Sequence, residues 1–140
     1  MRCRTAAWVW ADSGMGDFKK LEVWRKSHAL TLNTYRAFRR IRGAEHMSLR
    51  SQTIKAAMSI GDNIVEGNGL KTRRDFRRFL GYSVNSANEL ENHFIVAHDL
   101  ELIPTNVYRS LIKDLEEVRR MLYGLIKYLS GDEDEEGDEK

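Results

Sequence analysis

Apolar residues recur at steps of three and four along most of the chain, the spacing that gathers them on one face of an α-helix. The first run covers Asp17 to Arg42, with Phe18, Leu21, Trp24, His28, Leu32, Tyr35, Phe38 and Ile41 as its stripe. Asp17 is suited to cap its start and Gly43 to stop it. The second run covers Ser48 to Glu66, with Ile54, Ala57, Met58, Ile64 and Val65 apolar, Gly61 suited to a close approach, and Gly67-Asn68-Gly69 as a terminator. The third covers Arg73 to Leu100 on Phe76, Phe79, Leu80, Ser83, Val84, Ala87, Leu90, Phe94 and Ala97, with Thr72 and Asp75 as an imperfect capping box. The fourth covers Asn106 to Leu129 behind Pro104 and the N-cap Thr105, on Val107, Tyr108, Leu111, Leu115, Val118, Leu122, Leu125 and Leu129. Helices of about 25 residues reach nearly 40 Å. The linkers 43–47, 67–72 and 101–105 are short. Short linkers make neighbouring helices antiparallel, so the predicted fold is all-α, an up-down-up-down four-helix bundle over residues 17–130.

The two ends of the chain fall outside this pattern. Residues 1–16 include Trp8 and Trp10 but no periodicity. Either they form a frayed arm or Met15 is the true initiator. Residues 131–140 are expected to be a disordered acidic tail, because acids beside the negative end of a helix are unfavourable.

Composition narrows the class. A chain of 140 residues with 41% apolar content supports one modest core. One Pro and long amphipathic runs argue against a sandwich or barrel. No apolar stretch approaches about 20 residues, so no membrane span or membrane partner is expected, and a cytoplasmic location is the default. Cys3 is the single cysteine, which rules out an intrachain disulfide and a cysteine-rich zinc site.

Catalytic chemistry finds little support. The histidines are His28, His46, His93 and His98, and none stands in a Glu-x-x-His pair such as di-iron bundles use. No metal, cofactor or catalytic residue is therefore expected. His28 is expected to pack its ring at the core edge. Gly67 to Thr72 lacks P-loop glycine spacing and follows a helix rather than a strand. Ser59, Asn63 and Glu66 share one helix face, and Ser86 and Glu89 share another. These five read as a polar seam between helices or subunits, in preference to paired carboxylates for acid–base work.

Charge is more informative. The net +2 combines a final ten residues at −6 with a body at +8. Between Arg36 and Arg78 lie eleven basic residues, nine of them Arg, against four acids. Arg36, Arg39, Arg40 and Arg42 close the first helix; Lys71, Arg73, Arg74, Arg77 and Arg78 open the third. The guanidinium fork suits phosphate. The two clusters are expected to meet at one end of the bundle as a footprint for an RNA or DNA/RNA backbone. The first cluster is also explained by its helix dipole alone. The second opposes its dipole and calls for a counter-charge: nucleic acid, an acidic neighbour or the acidic tail. No aromatic interleaving marks a stacking platform, so binding would be backbone-driven.

Three blocks of the chain resemble the 23S rRNA-intervening-sequence protein family, also called the four helix bundle protein family. They are Phe18 to Ser27, the run Lys55-Ala56-Ala57-Met58-Ser59-Ile60-Gly61-Asp62-Asn63-Ile64-Val65-Glu66-Gly67, and Phe76-Arg77-Arg78-Phe79-Leu80 continuing through Ser86 to Glu89-Leu90. Val65 stands for the usual Ala, Ser83 for an Ala, and Asn85 for a Gly. The resemblance implies a four-helix protomer assembling as a homopentameric ring. It also implies kinship with accessory variability determinants of diversity-generating retroelements, which bind nucleic acid and partner a reverse transcriptase. The function expected from residues and resemblance together is a non-enzymatic nucleic-acid-binding accessory protein. The alternative is an oligomeric protein-binding adaptor.

Overall fold

A computed structural model describes residues 16–138, with side chains to residue 131. Cys3, Trp8, Trp10 and Met15 lie outside the described residues. The described residues form four α-helices, α1 (Glu22–Phe38), α2 (Met47–Asn68), α3 (Arg73–Asp99) and α4 (Thr105–Asp138). Short 3-10 turns, Phe18–Lys20 and Ala44–His46, precede α1 and α2. Among the described residues there is no strand. Neighbouring backbones approach in a closed cycle, α1 to α2 to α3 to α4 and back to α1. Across the core, the rings of Phe38 and Phe94 lie 5.9 Å apart.

The predicted stripes of α3 and α4 are buried except at Phe79, Val107 and Tyr108, which are half-buried. Phe76, Leu80, Ser83, Val84, Ala87, Leu90, Phe94 and Ala97 are buried on α3, and Leu111, Leu115, Val118, Leu122, Leu125 and Leu129 on α4. Helix α1 is turned about one residue away from expectation. Its buried face is Val23, Ser27, Leu30, Thr34 and Phe38. Leu32 and Tyr35 are 40% and 51% exposed. Hydroxyls hold this inward face because they satisfy themselves on their own helix. Ser27 Oγ donates to Trp24 O at 2.8 Å and Thr34 Oγ1 to Leu30 O at 2.7 Å, so their burial leaves no polar group unpaired. His28 is exposed and stacks on half-buried Trp24, centroids 5.0 Å apart. On α2, Met58 is likewise 49% exposed.

Helix ends also differ. α1 stops at Phe38 rather than Arg42, because Ile41 turns back into the core and Arg50 donates to its carbonyl. Gly43 then adopts φ +113, open to glycine and strained for other residues. α2 runs through Gly67 to Asn68. A Cβ on Gly67 would sit 2.8 Å from both Phe76 Cδ2 and Phe79 Cβ, whereas one on Gly61 would meet Ser27 Oγ at 3.4 Å. The close-approach glycine is therefore Gly67, not Gly61. Thr72 caps α3 as predicted, its Oγ1 accepting from Asp75 N at 3.1 Å. α4 begins at Thr105 itself and continues to Asp138, past the boundary expected at Gly131. Glu-rich sequence is compatible with helix, and Gly131 and Gly137 each cost it only about 1 kcal/mol.

Candidate nucleic-acid interface

The helix contacts fix where each basic cluster stands. Gly67, near the end of α2, faces Phe76 near the start of α3. The Arg73 guanidinium lies over the Tyr128 ring at 5.5 Å, and Arg77 Nη1 donates to Ser130 Oγ at 3.2 Å. The start of α3 is thus held between late α2 and late α4. Phe38 at the end of α1 lies instead against Phe94, eighteen residues further along α3. At 1.5 Å per residue that is about 27 Å from Phe76. Arg36, Arg39, Arg40 and Arg42 therefore do not meet Lys71, Arg73, Arg74, Arg77 and Arg78. The expected convergence is corrected: the clusters occupy opposite ends of the molecule. The Phe38–Phe94 contact puts the end of the first helix beside the end of the third, not its start.

The second cluster has other company, which the sequence reading missed. Lys19 and Lys20 lie in the turn that packs against α2 ahead of α1. Arg25 Nε donates to Lys19 O at 2.8 Å. That turn is at the arginine end, since Trp24 stands beside Gly61 on the way to Gly67. Their position in any reversing bundle was the available signal. Within the cluster, Lys71, Arg74 and Arg78 are exposed and Arg73 and Arg77 half-buried. Arg78 lies 3.6 Å from Asp75 and over the Phe79 ring at 5.5 Å. Stacking and hydrogen bonds hold several of these guanidinium groups in place, which lowers the entropy cost of presenting charge.

Three of the five residues read as a polar seam are joined by hydrogen bonds. Ser59 Oγ and Ser86 Oγ are 2.9 Å apart across α2 and α3, and Asn63 Nδ2 donates to Ser59 O at 2.8 Å and to Ser59 Oγ at 3.1 Å. Buried Ser83 adds a bond to Ile60 O at 2.8 Å. These small hydroxyl residues, with Gly67, let α2 and α3 pack closely.

The sequence profile of the 23S rRNA-intervening sequence proteins matches residues 19–124. The chain belongs to this family. Among solved structures, it resembles a protein of unknown function from the S23 ribosomal protein family of Bacteroides thetaiotaomicron VPI-5482. The TM-score is 0.70 at 25% identity, over 75% of this chain and 95% of that one. No curated protein matches the chain. The family match contains both arginine clusters and the seam, and it ends within α4, before the acidic run.

Glu66 and Glu89 stand apart from the hydrogen bonds that join Ser59, Asn63 and Ser86. Both are exposed. Glu66 adjoins Gly67, which faces Phe76, and Glu89 lies thirteen residues beyond Phe76, about 20 Å along α3. They are too far apart to share a reacting group. Among the described residues, no three His, Cys, Asp or Glu side chains are grouped to hold a metal ion. No described helix is long and apolar enough to cross a membrane. An open cleft of about 630 Å³ lies at the α3–α4 turn, lined by His98, Asp99, Glu101 and Thr105 among others. His98 there stacks on Tyr108 at 4.2 Å. Its acidic rim is unsuited to phosphate.

Proposed function

We propose that this chain is a non-enzymatic accessory protein that binds the backbone of RNA or a DNA/RNA hybrid at the arginine end of its bundle. The observation that carries this reading is the set Lys71, Arg73, Arg74, Arg77 and Arg78 at a helix N-terminus, where cations oppose the dipole and an external anion relieves them. Family membership supports the reading through the RNA gene in the family's name. In the cell it would act in the cytoplasm, either as the product of an rRNA intervening sequence or as the partner of a reverse transcriptase in a diversity-generating retroelement.

The protomer in this reading is an antiparallel up-down-up-down bundle. Its support is that residue numbers rise on one helix as they fall on the next: Thr31 bonds Ala57 O and Ser27 faces Gly61, Ser86 meets Ser59 and Phe76 faces Gly67, and Arg77 bonds Ser130 and Glu91 bonds Arg119. We further propose self-assembly into a ring of five. The exposed apolar residues Leu32, Tyr35 and Met58 support an intersubunit contact, and a ring would repeat the basic end around its axis. Light scattering should then give a mass near five times the 16.3 kDa chain.

The deciding experiment is fluorescence anisotropy with a short RNA duplex and with an RNA/DNA hybrid across a salt series. Wild type should bind, with affinity falling steeply as salt rises. An Arg73→Glu/Arg74→Glu/Arg77→Glu/Arg78→Glu variant that keeps its helical circular dichroism should lose binding; unchanged binding would refute the site. The second reading, an oligomeric protein-binding adaptor, is favoured by the same exposed apolar residues on α1 and α2. Retention of one protein partner after nuclease treatment, with no RNA affinity, would select it.

A further inference from the structure

Two charge clusters in this molecule sit at the wrong ends of their own helices. Arginines open α3, where the dipole is positive, and an acidic run closes α4, where it is negative. Each placement is unfavourable taken alone. The fold brings the start of α3 against late α4, from which the acidic run continues. Arg77 bonds Ser130, so those two positions are level along the bundle. Arg73 is four residues before Arg77, and residue 134 is four beyond Ser130. Four residues of helix advance about 6 Å, and Arg73 lies over Tyr128, so the first turn of α3 runs level with the α4 backbone between about 128 and 134. α4 remains helical to Asp138. Acids occupy 132–136, 138 and 139 of the sequence.

We propose that this acidic extension of α4 is an internal polyanion docked on the arginine end, which any nucleic acid must displace. The proposal rests on the binding site of the preceding section and adds its regulation. Each charge run supplies the counter-charge that the other's helix end lacks. Displacement exchanges one set of anions for another, so the extension lowers affinity for weak or short polyanions and matters less for long ones with many phosphates. It also lies beyond the family match, which ends at residue 124. The device thus belongs to this chain's own C-terminal sequence.

Two measurements on the full chain test it. The first needs no nucleic acid. A glutamate-specific protease is applied to wild type and to Arg73→Gln/Arg74→Gln, with cleavage after Glu116 inside the bundle as the internal control. Docking predicts that cleavage after Glu133, Glu135 and Glu136 is several-fold faster in the variant at low salt, and that the contrast disappears at about 0.5 M salt, where screening is short-ranged. Equal rates at low salt would overturn the docking. The second measurement compares wild type with Asp132→Asn/Glu133→Gln/Asp134→Asn/Glu135→Gln/Glu136→Gln in RNA-duplex anisotropy. The neutralised tail should bind about tenfold tighter at about 50 mM salt and within about twofold at about 300 mM. Binding by both proteins with equal low-salt affinity would overturn the competition. If neither protein binds RNA while the protease contrast persists, the docked extension stands and the nucleic-acid reading is the one that fails.

Discussion

The two arginine clusters carry similar charge and sit at opposite ends of one bundle, yet they stand in opposite relations to their helices. Arg36 lies in the last turn of α1, with Arg39, Arg40 and Arg42 just beyond it. There they complement the exposed carbonyls of a helix C-terminus, and the fold explains them without a ligand. Arg73, Arg74, Arg77 and Arg78 occupy the first turns of α3, where exposed N–H groups already present positive charge. The dipole of α3 itself gives no reason for cations at that place. The comparison teaches that counting arginines locates two patches, while helix direction separates the patch with an internal reason from the one that calls for an anion.

The largest expected effect concerns the framework of the arginine end. Gly67 allows late α2 to touch Phe76 and Phe79 in the first turns of α3. Gly67→Ala should destabilise the protein by about 1–3 kcal/mol in urea denaturation, the usual range for overpacking. Gly81, also helical, has nothing within 4 Å of a built Cβ. Gly81→Ala should be neutral or stabilise by up to about 1 kcal/mol through helix propensity. Equal effects at the two glycines would show that α2 and α3 do not depend on close contact at this end.

Next in size is the functional difference between the ends. Reversing Arg73, Arg74, Arg77 and Arg78 to Glu should lower RNA-duplex affinity by about 10- to 100-fold and flatten the salt dependence by roughly three to four in log–log slope, at about 0.9 per phosphate contact. The same reversal of Arg36, Arg39, Arg40 and Arg42 should cost threefold or less. Equal losses would break the comparison and return both clusters to one extended surface.

The ease of reading the sequence divides differently, between α3–α4 and α1. On α3 and α4 the apolar stripe is the buried stripe, because long runs of Leu and Phe leave one face available to the core. On α1 the apolar residues compete for two faces. Val23, Leu30 and Phe38 go inward with Ser27 and Thr34, while Leu32 and Tyr35 stay exposed. A hydroxyl that bonds its own helix is cheap to bury, and periodicity weighted by polarity alone does not see this. The site was half legible. The α3 cluster and its cap could be read from spacing, as could the Ser59–Ser86 seam. The end of the bundle each cluster occupies depends on counting chain reversals, and Lys19 and Lys20 join the α3 cluster by that count. The continuation of α4 beyond Gly131 was obscured by the unfavourable charge of the run, whose counter-charge lies on a different helix.

The smallest expected effect is one of sign. Arg39, Arg40 and Arg74 are all exposed, so replacing each by Gln removes charge with little loss of packing. Arg39→Gln and Arg40→Gln should each destabilise by about 0.3–0.5 kcal/mol at low salt, the low end of a dipole contribution at a solvated C-terminus. Arg74→Gln removes a cation from a helix N-terminus and should, on the dipole alone, stabilise by a similar amount. The docked acidic extension opposes that gain, because Arg74 stands at the end it covers. Combining Arg74→Gln with the neutralised 132–136 variant separates the two contributions. In wild type the substitution should be near neutral, and in the neutralised background it should stabilise by about 0.3–0.5 kcal/mol. The same small value in both backgrounds would show that the arginine end and the acidic run do not sense each other.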